Sequence, residues 1–343
     1  MTWATLLLAD TSPNLRLLVL RELIHSGDDD PEIKELLLAR ESDPIIQKLL
    51  TLQYPDGSWR SRAGGGSSWK NIRSTAFALN TLGYLGFDAY HPAVKKGVEY
   101  LFSLQAEDGS WALPKIKAER ELGEEYSMIP LQTGLPLRSL AAVGCGTDPR
   151  AERAYDWLLE MRLPDGAWPS GVNAGKHVFP GGYRRLAHSR YGCRSNTTFA
   201  LCALALHPTR RESDEARRGL DLLLAQETLQ AHSIGIEVAR MIGVERKRGF
   251  FTYFARNDPA LTLDLCWRIG ASFDDERVAE LVDFIKERKG AYGIWEYQRH
   301  PAASRWVTFD LLRSLSRIDQ HTDWISKEPR TPFQPYPKEE RRY

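Results

Sequence analysis

The sequence predicts an all-α protein in which an inner ring of helices is wrapped by an outer ring. Three observations carry that expectation. A seven-residue turn recurs as Gln53-Tyr54-Pro55-Asp56-Gly57-Ser58-Trp59, Gln105-Ala106-Glu107-Asp108-Gly109-Ser110-Trp111 and Arg162-Leu163-Pro164-Asp165-Gly166-Ala167-Trp168, with a worn copy from Lys289 to Trp295. The tryptophans stand 52, 57 and 127 residues apart, and the last gap fits two units with one motif lost between them. The segments between turns alternate between helices apolar nearly all round and helices apolar on one face, as buried inner and half-buried outer helices would be. No β pattern of comparable strength competes. Within each turn Gly supplies the positive φ that other residues resist, and the aromatic can anchor the turn against a neighbouring helix.

Taken in order, a short N-terminal helix is followed by Ser12-Pro13-Asn14, which opens a helix with Leu15, Leu18, Val19 and Leu23 on one face. Asp30-Pro31 and Asp43-Pro44 start two more, with Asp as N-cap and Pro at the first helical position. From Ile72 to Leu85 the chain reads as a helix buried on every side; His91-Pro92 then opens one with Val94, Val98, Leu101 and Phe102 on a single face. The same alternation pairs Leu131–Val143 with the helix after Asp148-Pro149, and Thr197–Leu206 with Glu212–Gln226. Asp258-Pro259 opens an apolar helix ending near Gly270, Asp274–Arg288 is amphipathic, and Ser304–Ile318 is the last helix. About six pairs would close the ring.

The 343 residues carry a formal charge of +1, which gives no general reason to expect nucleic acid or an anionic membrane as partner. No stretch approaches the ~18 apolar residues of a membrane span. Cys145, Cys193, Cys202 and Cys266 lack paired spacing, so a disulfide framework is not expected, and the N-terminus lacks the basic region of a signal peptide. A soluble cytoplasmic protein is the expectation. The unbroken repeat favours one domain over residues 1–326, followed by a Pro-rich, charged tail over 327–343.

The repeated turns resemble the QW repeats of the terpenoid cyclase and protein prenyltransferase superfamily, and the resemblance runs from about residue 14 to residue 318. It implies an α/α toroid around an apolar central pocket. The segment from Asp258-Pro259 to Ile318 is also similar to a group of single-domain bacterial proteins known as prenyltransferase or squalene-cyclase repeat proteins. In squalene–hopene-like cyclases an Asp-x-Asp-Asp motif at the start of an inner helix protonates the substrate alkene. The matching positions here are Asn71, Arg73 and Ser74, or Cys193, Ser195 and Asn196, and none is acidic. Asp28-Asp29-Asp30 precedes Pro31 and reads as a cap and solvated turn. The resemblance to prenyltransferases implies zinc held by Asp264, Cys266 and a later His, but Val307 stands where that His belongs. No resident cofactor or metal is therefore expected, and Mg2+ enters only as the companion of a bound diphosphate.

An acid outside the usual motif leaves Asp264 and Asp310, the best carboxylates on inner helices, as the candidate catalytic residues. A second feature owes nothing to the resemblance. From Pro169 to Arg211 there is no Asp or Glu, while Lys176, Arg184, Arg185, Arg190 and Arg194 fall among Tyr183 and Tyr191. A long basic, aromatic connection suits an amphiphile with an anionic head, such as a prenyl diphosphate, because Arg binds phosphate bidentately; the bland alternative is a solvated loop paired with Glu119, Glu121, Glu124 and Glu125. The sequence reading is thus an isoprenoid-handling protein, a terpene cyclase-like enzyme acting on a prenyl diphosphate or polyprenyl chain, against a non-catalytic toroid that binds a lipid or a protein.

Overall fold

A computed structural model describes residues 2–60, 68–111, 130–169, 172–173, 176–177, 186–225, 234–245, 258–318, 324 and 327–329. The chain is an all-α toroid. Its helices are α1 (Thr2–Leu8), α2 (Pro13–Val19), α3 (Pro31–Ala39), α4 (Pro44–Thr51), α5 (Ser68–Tyr84), α6 (Pro92–Phe102), α7 (Pro130–Ala142), α8 (Pro149–Glu160), α9 (Arg194–Leu204), α10 (Asp214–Leu224), α11 (Ile236–Met241), α12 (Pro259–Ile269), α13 (Glu276–Lys286) and α14 (Ser304–Leu315). A π-helical turn, Leu20–Ile24, continues α2. β structure among the described residues is confined to a two-residue hairpin, Val172–Asn173 against Lys176–His177, and two isolated bridges.

The caps form as their residue types demand. Ser12, Asp30, Asp43, Asp148 and Asp258 each accept a backbone N–H of the first turn of a helix whose first residue is Pro. Such a residue satisfies a donor that the helix itself leaves unpaired. α5 packs on α7 and α7 on α9, while α12 packs on α14; α6, α8, α10 and α13 lie against α5, α7, α9 and α12 respectively. All eleven residues of α9 are buried, whereas the one-faced α10 leaves Asp214 exposed. α14 completes the inner set against α1 and the π-helical turn.

The recurring turns stitch this arrangement together. In each of four copies the indole N–H of Trp donates to a carbonyl ten residues earlier, on Leu49, Leu101, Leu158 or Ile285, at 2.7–2.8 Å. In the same four copies the backbone N–H of that Trp donates to a threonine hydroxyl on the next inner helix: Thr75, Thr133, Thr197 and Thr308. One residue thus ties an outer helix to the inner helix that follows. Gln53 and Gln105 add a third link, donating to Ala93 and Arg150 carbonyls on the next outer helix. The third copy has Arg162 instead, and there Arg218 reaches back from α10 to the carbonyl of Asp165, at 2.9 Å.

The turn glycines are required by more than φ. Gly109 has φ +91, and a Cβ there would lie 2.6 Å from the Arg153 carbonyl oxygen of α8. Gly109→Ala is expected to cost roughly 1–3 kcal/mol, since it adds a backbone clash to a strained φ; urea denaturation of parent and variant checks it.

Of the C-terminal segment, residues 327–329 lie against α10 and α13. Lys327 N–H donates to Asp221, Arg277 donates to the Glu328 carbonyl, and Arg218 pairs with the Glu328 carboxylate at 2.6 Å. Residues 330–343 are outside the described residues.

Candidate active site at the ring centre

A short helix occupies the middle of the toroid. α11 has every residue buried and contacts α5 and α14. Thr81 of α5 donates to the Met241 carbonyl at 3.1 Å, and Asn80 donates to the Met241 sulfur at 3.2 Å. At its other end Gly235 packs on Val307 so closely that an added Cβ would lie 2.5 Å from a valine methyl. Asp258 fixes the start of α11, accepting from the N–H groups of Gly235 and Glu237 while also capping α12 at Ala260. Burial raises the Asp258 carboxyl, to about 7, against the downward pull of those backbone donors.

Beside α11 lies a cavity of about 290 Å³ whose lining includes Glu22, Tyr84, Arg138, Glu237, Asp258, Asp264, Arg268, Asp310, Arg313 and Arg317. The expected apolar pocket is therefore replaced at this position by a charged one. The cause is a set of buried ion pairs carried in by helices whose sequences look apolar. Arg138 of α7 pairs with Glu237 of α11 at 3.1 Å, and Arg313 of α14 pairs with Asp310 and comes within 3.7 Å of both Asp264 and Glu22. Charges leave water at such cost that they enter only in compensating sets.

The two carboxylates singled out from the sequence are brought together here. Asp264 accepts from Arg268 Nε at 2.9 Å and from the Trp267 indole at 3.1 Å. Burial pushes its carboxyl up, but Arg268 and Arg313 outweigh that and hold it below the usual carboxylate range. Asp310 is pushed the other way: burial raises it, to about 6, over the opposing pull of Arg313. Tyr84 adds a phenol raised by burial. Its hydroxyl, Arg313 Nε and Glu237 Oε2 are buried without a hydrogen-bond partner.

A carboxyl raised by the fold binds more protons folded than unfolded, between its unfolded pKa near 4 and its folded value. The contribution of Asp310 to stability is thus fullest at low pH and is lost as pH rises towards 6. Asp310→Asn removes that loss, so the stability of the variant relative to the parent should rise by roughly 1–3 kcal/mol between pH 4 and pH 7. Urea denaturation across that range is the measurement.

The other sequence candidates are placed elsewhere. Cys266 is fully buried, with its thiol raised first by burial and then by the charge of Asp275, and the described residues add no third His, Cys, Asp or Glu to the Asp264–Cys266 pair. Arg194 is buried and donates to the Leu223 carbonyl at 2.9 Å, tying α9 to α10 instead of facing a ligand. Arg190 is exposed and lies 5.1 Å from the centre of the Tyr191 ring. Lys176 falls in the hairpin, where only its backbone is described, and Tyr183, Arg184 and Arg185 lie outside the described residues. The basic connection therefore supplies no described cation to this cavity. Sequence reasoning missed Tyr84, Arg138, Glu237 and Arg313. A lone Arg within an otherwise apolar segment, as at 138, was the available signal.

Residues 38–207 match the family model of the squalene–hopene cyclase C-terminal domain. A probable squalene–hopene cyclase of Sinorhizobium fredii is 28% identical over 171 residues, which is 49% of this chain and 25% of that protein. The squalene–hopene cyclase of Zymomonas mobilis is 28% identical over 172 residues, or 50% and 25% of the two chains. The matched part thus spans about a quarter of the length of these relatives. A solved type II terpene cyclase from Scytonema is 14% identical over 79% of this chain and 95% of its own, with a TM-score of 0.31, too loose a likeness to bear on the site.

Proposed function

Residues 38–207 place this chain in the terpenoid cyclase superfamily, and from that premise we propose that it is a cyclase-like enzyme that protonates an isoprenoid chain, with Asp310 as the acid. The observation that carries the reading is the divergence of two carboxyls sharing Arg313: Asp310 is raised, to about 6, and holds a proton in mildly acidic solution, while Asp264 is held below the usual carboxylate range. Pairs of acids pushed apart in this way mark an acid and its ionised partner.

In the step envisaged, the Asp310 O–H bond breaks as a C–H bond forms to an alkene carbon. The π electrons supply that bond and leave a tertiary carbocation. Arg313 stabilises the carboxylate left behind, and the Asp264 charge offsets the cation. Attack by the next double bond closes a ring, loss of a proton from the final cation to water ends the sequence, and solvent reprotonates the Asp310 carboxylate. Zinc has no part in this reading.

The test is gas chromatography with mass spectrometry of extracts after incubation with squalene and with geranylgeranyl diphosphate. Cyclised product is expected from the parent, falling at least about 100-fold in Asp310→Asn, the scale of a lost general acid. No product from either chain, or equal product from the variant, overturns the proposal. A second reading, a non-catalytic toroid that binds a lipid or a protein, is favoured by the placement of α11 in the ring centre and the small volume beside it. A lipid that co-purifies unchanged, with no turnover, would select it.

A further inference from the structure

One seam of the outer ring is built differently from the others. At the first three turns the next outer helix is tied to the turn itself, through Gln53, Gln105 or Arg218. Between Leu224 of α10 and Pro259 of α12 there is no tryptophan, so α13 has no such turn to hold. Thr262 is fourth in α12, as Thr133 and Thr197 are in α7 and α9. Its counterparts accept from a tryptophan N–H, whereas the Thr262 hydroxyl donates to the Asp258 carbonyl of its own helix cap at 3.2 Å.

A set of buried charges and the segment 324–329 cross this seam instead. Arg277 of α13 donates to the carbonyl and the carboxylate of Asp221 on α10, at 3.1 and 2.8 Å, and to Asp275 at 2.6 Å. All three side chains are buried. Each takes a further bond from the segment. The Trp324 indole N–H donates to Asp275 at 2.8 Å, the Lys327 N–H donates to Asp221 at 3.2 Å, and the Glu328 carbonyl accepts from Arg277 at 3.2 Å. The Glu328 carboxylate pairs with Arg218, which also lies 3.2 Å from Asp221. His188, in the connection after Trp168, stands 3.1 Å from the Pro329 carbonyl oxygen and 3.5 Å from the Glu328 carboxylate. One short segment thus meets α10, α13 and the end of that connection.

The contacts have the form of peptide recognition. Their anchors are an aromatic, Trp324, which packs against the main core, and a carboxylate four residues later, paired with an arginine. Two main-chain groups, the Lys327 N–H and the Glu328 carbonyl, are bonded besides. Arg277 joins α10 to α13 directly, so the site is assembled without help from its occupant. We propose that α10 and α13 form a docking site for a peptide carrying Trp and, four residues on, Glu; residues 324–329 fill it in cis and latch the seam left by the missing turn. A tethered occupant is present at roughly millimolar effective concentration, which holds the site against a free competitor. Nothing in the latch depends on chemistry at Asp310.

Fluorescence anisotropy with a labelled peptide of residues 322–331, added to the full chain, tests this. In Trp324→Ala combined with Glu328→Arg the chain's own segment no longer fills the site, and this variant should bind the peptide at least about tenfold more tightly than the parent does. A peptide carrying the same two changes should bind neither chain. Equal binding by parent and variant overturns the proposal, as does no binding by a variant that keeps the parental helix content by circular dichroism. Hydrogen exchange on Glu328→Gln decides the matter if the double variant fails to fold. Amides of α10 and α13 should exchange faster than in the parent, while those of α5 and α7 stay as they were. Parental exchange throughout, or acceleration spread evenly around the ring, overturns the latch.

Discussion

Replacing Trp111 by alanine is expected to cost roughly 3–5 kcal/mol of stability, the scale for truncating a fully buried tryptophan. Trp111 is 1% exposed, its indole N–H donates to Leu101 at 2.8 Å, and its backbone N–H donates to Thr133. Truncation leaves the Leu101 carbonyl without this donor and opens a void between α6 and α7, which an alanine side chain cannot refill. Trp111→Phe should retain most of the packing and lose chiefly the indole hydrogen bond, a net contribution of about 1 kcal/mol. Urea denaturation of the three proteins gives the comparison. Parental stability in Trp111→Ala would remove the stitching role assigned to the turn.

Arg313→Met should cost about 3–5 kcal/mol at pH 7, the scale for removing one member of a buried ionic set. Arg313 is 5% exposed and serves three carboxylates, Asp310, Asp264 and Glu22. Asp264 keeps Arg268 and Glu22 keeps Arg317, so the uncompensated charge falls mainly on Asp310. Without Arg313 the Asp310 carboxyl loses the largest pull that opposes its burial, and its pKa rises further. Protonation then relieves the orphaned charge, so the loss should shrink as pH falls from 7 to 5. Denaturation at the two pH values measures it; a loss that is the same at both would mean that Asp310 does not carry the uncompensated charge.

The frame was legible in the sequence because its signals are local. Asp-Pro and His-Pro pairs set helix starts at Pro31, Pro44, Pro92, Pro149 and Pro259, and the Trp turns set the period. Boundaries moved little: the expected Ile72–Leu85 is Ser68–Tyr84, and Leu131–Val143 is Pro130–Ala142, even with Pro136 inside it. The site was legible only in part. Asp264 and Asp310 were found as acids on inner helices, but what tunes them comes from elsewhere in the chain. Glu22 is 288 residues from Asp310, and Arg138 meets Glu237 across 99 residues. No local pattern encodes such pairings. α11 was missed because six residues carry too little periodicity to separate helix from loop, and the apolar character expected of the centre failed for the same reason, since α11 and its ion pairs fill it.

The place where the tryptophan turn is lost is also where the chain leaves the ring. Between Trp168 and Trp295 one motif is missing, and from that interval comes α11, which enters the centre and parts the charged cavity from an apolar groove formed by α4, α5 and the chain from Arg240 to Glu245. Four threonine–tryptophan joints hold the frame without any contribution from this segment. Frame and filling therefore share none of these joints. A descendant could exchange the insert, and with it the shape of both hollows, while every joint of the ring stayed as it was. In a protein built this way, new chemistry would arise by changing one cartridge in an unaltered housing, and the least regular segment of the sequence would be the one to graft between relatives.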